Sequence, residues 1–388
     1  MKKILIVNNN MQIGGVQKSL YNLLWAVHDQ AEITLLLFAN SGEYADKLPK
    51  SVRVIDCNSL FRYLGISQGA CKGFDKLKRG ALAGFCRMFG RHQVMKLLLA
   101  SQERLAEHYD VAVSFLHNGN YKNFYGGVQD FVLERVNADR KVAFLHCDYS
   151  SCGANTPANN QLIRRFDVVA ACSEGCREAF LNVLPDMEYR CVTVKNCHRF
   201  DEILGLAEER KISYPEDAWN VVMVSRLAHE KGIERALEAV AYAKQKGIAM
   251  RLHIVGGGPM ESFLSEEVSR LELTDCVHFY GEQNNPYPYM RAADLFFMTS
   301  FHEAAPMVIE EARTLGLPVL TVRTTSSEEM VTRNGCGWVC ENEQQAINEM
   351  LVHVLSHEAE LAYVKSALTR QMPDNATAIT QFLKVVEG

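Results

Sequence analysis

The chain has no excess of positive charge. Its 41 Lys/Arg against 46 Asp/Glu leave a net charge of -5, so nucleic acid is not expected as a main partner. It has no run of ~18 apolar residues, the length that spans a bilayer. Lys2 and Lys3 precede only Ile4 to Val7 before three asparagines, too short a run for a secretory leader, so a cytoplasmic protein is expected. None of its 12 cysteines forms a C-x-x-C pair. The nearest spacings are Cys147/Cys152, Cys172/Cys176 and Cys336/Cys340. Zinc sites usually pair ligands more tightly, so reduced, mostly core thiols are expected. No G-x-G-x-x-G with a downstream acid follows a strand, which disfavours a dehydrogenase. There is no D-x-D either, so no close carboxylate pair is available to clamp a metal ion.

What is present is alternation. A chain of 388 residues suggests about two domains at ~100–200 residues each. Lys2 to Val7 is an apolar run, followed by Asn8 to Asn10, then Gly14-Gly15 and a helical pattern to Val27. Ile33 to Phe38 is the next apolar run. This strand, glycine loop, helix, strand order opens a doubly wound parallel sheet. Val111–Leu116, Lys141–His146, Val168–Cys172 and Val192–Val194 continue it. The stretch 201–218 is charged, contains Pro215 and reads as a linker between a first domain, 1–200, and a second, 219–373. There the pattern restarts, with strands at Asn220–Val224, Arg251–Val255, Val277–Tyr280, Leu295–Met298 and Pro318–Val322. Residues 374–388 carry Ile379, Phe382, Leu383 and Val386 at helical spacing beyond the second repeat.

Four features carry chemistry. Ser225-Arg226-Leu227 follows a strand and Glu230-Lys231-Gly232 opens a helix, so Arg226 and Lys231 sit where a diphosphate can be held by side-chain charge and helix N–H groups. Two solvated surface cations would look the same. Glu303 lies in a loop before a helix that starts near Pro306, and Glu311 lies within that helix. A loop carboxylate accepts hydrogen bonds from sugar hydroxyls, a helix carboxylate can hold a ribose diol, and the N–H groups of Met307 and Val308 can meet phosphate oxygens. Acids that simply complement the helix dipole are the alternative. Gly256-Gly257 after a strand, and Gly15 after the first one, allow close approach of a ligand or make a tight turn. His146 ends a strand where such sheets bind ligands, or is a packed histidine.

One stretch stands apart. Eight Lys/Arg and a single acid, Asp75, lie between Arg62 and Lys96, interleaved with Phe74, Leu77, Leu82, Phe85, Met88 and Phe89. A basic amphipathic helix of this kind can lie on an anionic membrane surface; a solvated helix face is the alternative.

Taken in order, Ser-Arg-Leu…Glu-Lys-Gly, Val255-Gly-Gly-Gly-Pro259, Ala293-Asp294 and the E-x7-E of Glu303 and Glu311 with Leu315-Gly-Leu-Pro-Val319 resemble glycosyltransferase family 4. The resemblance is sharp over Val221 to Val331. It implies the GT-B fold: two facing Rossmann-like domains, the first for the acceptor and the second for the donor, with the last helix crossing back to the first. It implies a retaining, metal-independent glycosyltransferase that takes a hexose-type sugar from a nucleotide-sugar, by default a UDP-sugar, with no cofactor. Arg226 and Lys231 would bind the donor diphosphate, Glu303 the sugar and Glu311 the ribose. Gly15 would approach the phosphates, and His146 would lie near the reacting centre. Ala304 and Ala305 depart from the glycine and aromatic usual after the first Glu. The Ala-Ala-Pro-Met-Val form resembles bacterial enzymes of surface-polysaccharide synthesis, which implies a glycan or lipid-linked acceptor and a place on the inner face of the plasma membrane. An epimerase of the same fold would lack the paired cations and the E-x7-E, and a silent binding protein would not need all four charged residues.

Overall fold

Short apolar runs buried on both faces of a sheet form parallel strands, because every side chain then finds a helix to pack against. The computed structural model describes residues 1–66, 69–120, 122–370 and 372–388. It divides into two units, Met1–Cys197 with Asn375–Gly388, and His198–Asp374.

The first unit holds β1 (Lys3–Asn8), β2 (Glu32–Leu37), β3 (Arg53–Asp56), β4 (His108–Ser114), β5 (Asn137–Leu145), β6 (Val168–Ala171) and β7 (Cys191–Thr193). The order is β3-β2-β1-β4-β5-β6-β7, parallel throughout. Successive side chains of β1 go to opposite layers. Ile4 and Ile6 pack with Leu20 and Leu24 of helix Gly15–Val27, and Leu5 and Val7 pack with Phe38, Phe61 and Phe131. The last helix, Ala376–Glu387, belongs to this unit. Its Ala378, Phe382, Val385 and Val386 enter the Ile4/Ile6 layer, and Gln381 Oε1 accepts from the Lys195 backbone N–H at 3.0 Å.

The second unit holds β8 (Trp219–Val224), β9 (Met250–Val255), β10 (Val277–Phe279), β11 (Leu295–Met298), β12 (Val319–Val322) and β13 (Gly337–Cys340), in the order β10-β9-β8-β11-β12-β13. All pairings are parallel. In each unit the chain builds outward from the first strand on one side, then returns to its other flank. The resulting switch points lie at β1/β4 and β8/β11, where such sheets bind ligands beyond the strand ends.

Three expectations are corrected. Residues 201–218 belong to the second unit, whose boundary lies at Cys197/His198. Helix Phe200–Glu208 places Ile203 and Ala207, one turn apart, in a cluster with Tyr287, Tyr289 and Met290. The Asn285 side-chain amide also donates to the Leu206 carbonyl at 2.8 Å. The basic stretch 62–96 is not one helix. It comprises a turn at Arg62–Gly65, helix Gly73–Phe89 and the start of helix Arg91–Ala100, broken at Gly90 by a φ of 81°; residues 67 and 68 lie outside the described ones. Its cations also divide. Arg91 is buried against Asp130, Arg62 pairs with Asp75 at 3.2 Å and Arg79 donates to the Ile66 carbonyl, whereas Lys72, Lys76, Lys78 and Arg87 stay exposed. Finally, β5 stops at Leu145, so His146 is the first residue past the strand.

Candidate active site

In the second unit, the loops leaving β8 and β11 are fastened to each other. The Phe301 backbone N–H donates to the Glu230 carbonyl at 3.0 Å. The Thr299 hydroxyl donates to the Gly232 carbonyl at 2.8 Å, and Arg235 donates to both the Thr299 carbonyl and the Asn342 side chain. The His229 ring stacks on Phe301 with centroids 5.3 Å apart. Gly232 is required here. Its φ of 58° is left-handed, and an added Cβ would sit 2.4 Å from the Thr299 carbonyl oxygen.

That junction brings two predicted residues together. Lys231 Nζ donates to Glu303 Oε1 at 2.6 Å, across 72 positions of sequence. Their side chains are 25% and 13% exposed, so the pair is shielded yet open on one side. Arg226 is turned the other way: its guanidinium pairs with Glu230 in solvent. It lies on the same β8 loop as Lys231.

Glu303 is followed by Ala304, Ala305 and Pro306, which takes the N-cap position of helix Met307–Thr314. The first N–H groups of that helix have no acceptor within it. The Ser326 hydroxyl donates to the Ala304 carbonyl and ties the loop to the segment after β12. Glu311 sits a turn into the helix, 4% exposed. Met307 and Val308 therefore lie between the two acids.

Gly256 and Gly257 have a different explanation from the expected one. A Cβ on Gly256 would lie 1.8 Å from the Ser225 carbonyl oxygen, and one on Gly258 2.4 Å from the Leu227 carbonyl oxygen. Leu227 N–H donates to the Gly257 carbonyl at 2.9 Å. Gly256 and Gly258 are glycine because the β8 and β9 loops run backbone against backbone, whereas a Cβ on Gly257 would come no nearer than 3.3 Å, to Glu282.

The first unit carries its own cluster. Gly15 is the first residue of its helix after Gly14, and an added Cβ there meets nothing within 4 Å. Nothing in the protein thus demands glycine at Gly15. His146 packs at a tilt against Phe115, with ring centroids 4.6 Å apart, and its Nε2 is buried with no hydrogen-bond partner. Burial first, and then the neighbouring His117, lower its pKa to about 3, so the imidazole is neutral near pH 7.

Reading the sequence missed several residues here. The Ser225 hydroxyl is buried at the end of β8 without a hydrogen-bond partner, as is Thr324 Oγ1 after β12. Ser225 lay in the quoted Ser-Arg-Leu run, but Thr324 to Ser327 gave no signal beyond a cluster of hydroxyl residues. Arg235 and Asn342 are tertiary partners that no spacing could join.

Residues 207–371, which span these loops, match the family described as Glycosyl transferases group 1. The second unit thus resembles that family over most of its length. Part of the chain aligns with bacterial relatives. One is the amylovoran biosynthesis glycosyltransferase AmsK of Erwinia amylovora, 30% identical over 37% of this chain and 38% of that protein. Another is the putative colanic acid biosynthesis glycosyltransferase WcaL of Escherichia coli, 29% identical over 37% of each. The aligned part thus spans less than two fifths of either relative. Over the whole length, the fold matches that of Anabaena HepE, solved in complex with UDP and glucose, with TM-score 0.69, 20% identity and 100% of both chains covered. The architecture is that of the GT-B fold, two Rossmann-like parallel sheets.

Proposed function

We propose that the chain is a retaining glycosyltransferase of family 4 that moves a hexose-type sugar from a UDP-sugar to a glycan or lipid-linked acceptor in cell-surface polysaccharide synthesis. The observation that carries this reading is the Lys231–Glu303 pair at the carboxyl ends of β8 and β11. A cation and a carboxylate held side by side at a switch point suit a ligand with anionic and hydroxylic parts. When donor binds, Lys231 turns to the diphosphate, Arg226 leaves Glu230 to join it, and Glu303 takes the sugar hydroxyls. Glu311 holds the ribose, and the N–H groups of Met307 and Val308 take phosphate oxygens. In the first unit, Gly15 leaves open space at the start of its helix and His146 is neutral, which suits the roles toward phosphate and sugar that we assign to them. Gly256 and Gly257 keep the β8 loop in shape for this.

In the reaction the bond from the anomeric carbon to the diphosphate oxygen breaks, and the electron pair leaves with UDP. The acceptor hydroxyl bonds to the same face of the sugar and passes its proton to the leaving phosphate. No protein nucleophile is needed. Catalysis comes from positioning and from charge placed where the leaving group gains it. With no D-x-D in the sequence, the cations supply that charge and the reaction needs neither metal nor cofactor. Among the described residues no helix is long and apolar enough to cross a membrane. Helix Gly73–Phe89, with Phe74, Leu77 and Met88 exposed between Lys76, Lys78 and Arg87, holds the enzyme on an anionic inner-membrane face.

The experiment is a donor screen with purified protein. Slow release of UDP and free sugar from one donor supports the transferase reading. An isomerised donor would replace it with an epimerase, and an intact donor across the whole panel would replace it with a silent binding protein.

A further inference from the structure

At the carboxyl edge of the first sheet, three side chains converge that have no part in the transfer chemistry. His117 lies three residues past the end of β4, Cys147 two residues past β5, and Cys152 in the loop that follows. One ligand atom from each lies within 4.8 Å of the other two. His117 and Cys147 are buried and Cys152 is partly so. Tyr125 packs beside His117, with ring centroids 6.1 Å apart.

We propose that His117, Cys147 and Cys152 form a binding site for a zinc-like divalent ion, with water in the fourth position. Geometry admits the ion. Three atoms no more than 4.8 Å apart all lie within about 2.8 Å of some common point. Contraction by roughly half an ångström reaches the ~2.3 Å of a zinc–sulfur bond, and by roughly 0.8 Å the ~2.0 Å of a zinc–nitrogen bond. The His117 Nδ1 is buried without a hydrogen-bond partner, so the imidazole keeps a nitrogen uncommitted to the protein. Charge agrees as well. Two thiolates and a neutral imidazole around a divalent ion sum to zero, so the occupied site would bury no net charge. The donor set selects among ions: sulfur and imidazole nitrogen favour zinc, cobalt or copper over magnesium or calcium, which take oxygen ligands. The C-x4-C spacing hid the site from the sequence, because its third ligand comes from the neighbouring strand.

A disulfide between the two cysteines is the competing account, and it leaves the imidazole without a role. Binding of the ion releases the two thiol protons and fixes the loop from Cys147 to Cys152, which begins right after His146. The site does not depend on the transferase reading, because metal binding is measured without any sugar donor.

The test uses the full chain, reduced and stripped with chelator, then titrated with Zn²⁺ against a chromophoric competitor. One equivalent per chain is expected. Co²⁺ in its place should give the ultraviolet thiolate-to-cobalt charge-transfer band, and Zn²⁺ should protect Cys147 and Cys152 from alkylation, read by peptide mass mapping. Cys152→Ser, at the least buried ligand, should weaken binding at least ~100-fold, and Cys276→Ser in the other unit should leave it unchanged. If Cys152→Ser does not fold, the mass-mapped protection in the unaltered chain decides alone. Failure of the unaltered chain to bind Zn²⁺, Cys152→Ser binding as tightly as the unaltered chain, or a Cys147–Cys152 disulfide in freshly isolated protein would overturn the proposal.

Discussion

Replacing Lys231 with alanine removes one positive charge from the end of β8. A unit charge about 4 Å from a phosphate oxygen, at an effective dielectric of ~20, contributes about 4 kcal/mol. The Lys231 side chain is 25% exposed, so water recovers part of this, and about 2 kcal/mol is a reasonable lower bound. At 1.36 kcal/mol per decade, the expected fall in kcat/KM is roughly 30- to 1000-fold. The assay is UDP release across a range of donor concentrations. Lys231→Arg should retain more activity than Lys231→Ala, because it keeps the charge. The alanine variant also strands Glu303, 13% exposed, at a stability cost of about 1–3 kcal/mol. Adding Glu303→Ala should restore the melting temperature without restoring turnover, which separates catalysis from folding. Turnover by Lys231→Ala within threefold of the unaltered chain would refute the role given to this pair.

Four further outcomes are expected. Phe382→Ala should destabilise the first unit by about 3–5 kcal/mol in urea melts, because Phe382 is fully buried. Gly256→Ala should lower the unfolding free energy of the second unit by at least about 2 kcal/mol, since the methyl would sit 1.8 Å from the Ser225 oxygen; unchanged stability in urea melts would mean the loops are not packed as described. Reversing Lys72, Lys76, Lys78 and Arg87 to glutamate should abolish co-sedimentation with anionic vesicles but leave donor hydrolysis intact. The Glu107 carboxyl is held down to about 2 by hydrogen bonds from Lys3, Arg53 and Tyr109. Its stabilisation is therefore full above the ordinary carboxylate pKa and lost as pH falls from about 4.5 toward 2. With the side chain one-third exposed, Glu107→Gln should cost about 1 kcal/mol at pH 7 and nothing at pH 2, measured by melting at both.

Much of the fold was legible because parallel strands buried on both faces leave continuous apolar runs, as at Lys3–Asn8 and Leu295–Met298. The two strands not foreseen, Arg53–Asp56 and Gly337–Cys340, are sheet edges, where one flank is half-exposed and the run is broken by charge or glycine. Helix Phe200–Glu208 was taken for linker because the charged, Pro215-containing stretch after it dominated, although Phe200, Ile203, Leu204 and Ala207 do fall at helical spacing. In the site, local motifs found Arg226, Lys231 and Glu303, but the Lys231–Glu303 contact spans 72 positions and needed the sheet. The steric need for glycine at Gly256 was out of reach for the same reason: its close backbone neighbour is another strand's loop. The His117 partner of Cys147 likewise sits on an adjacent strand, invisible to spacing along one segment.

The last helix has a consequence for biosynthesis. The first unit closes only when Asn375–Gly388 lays Phe382 over the layer containing Ile4, Ile6 and Phe144. Translation yields the second unit in between, about 180 residues of chain, which takes roughly 10–35 s at ~5–20 residues per second. Throughout that interval the nascent first unit carries an open apolar strip, and the later-made unit is the first that can reach its final form. Ribosome pausing or a stop codon before residue 375 would thus strand the older half of the polypeptide unfinished, which makes it the half most dependent on chaperones.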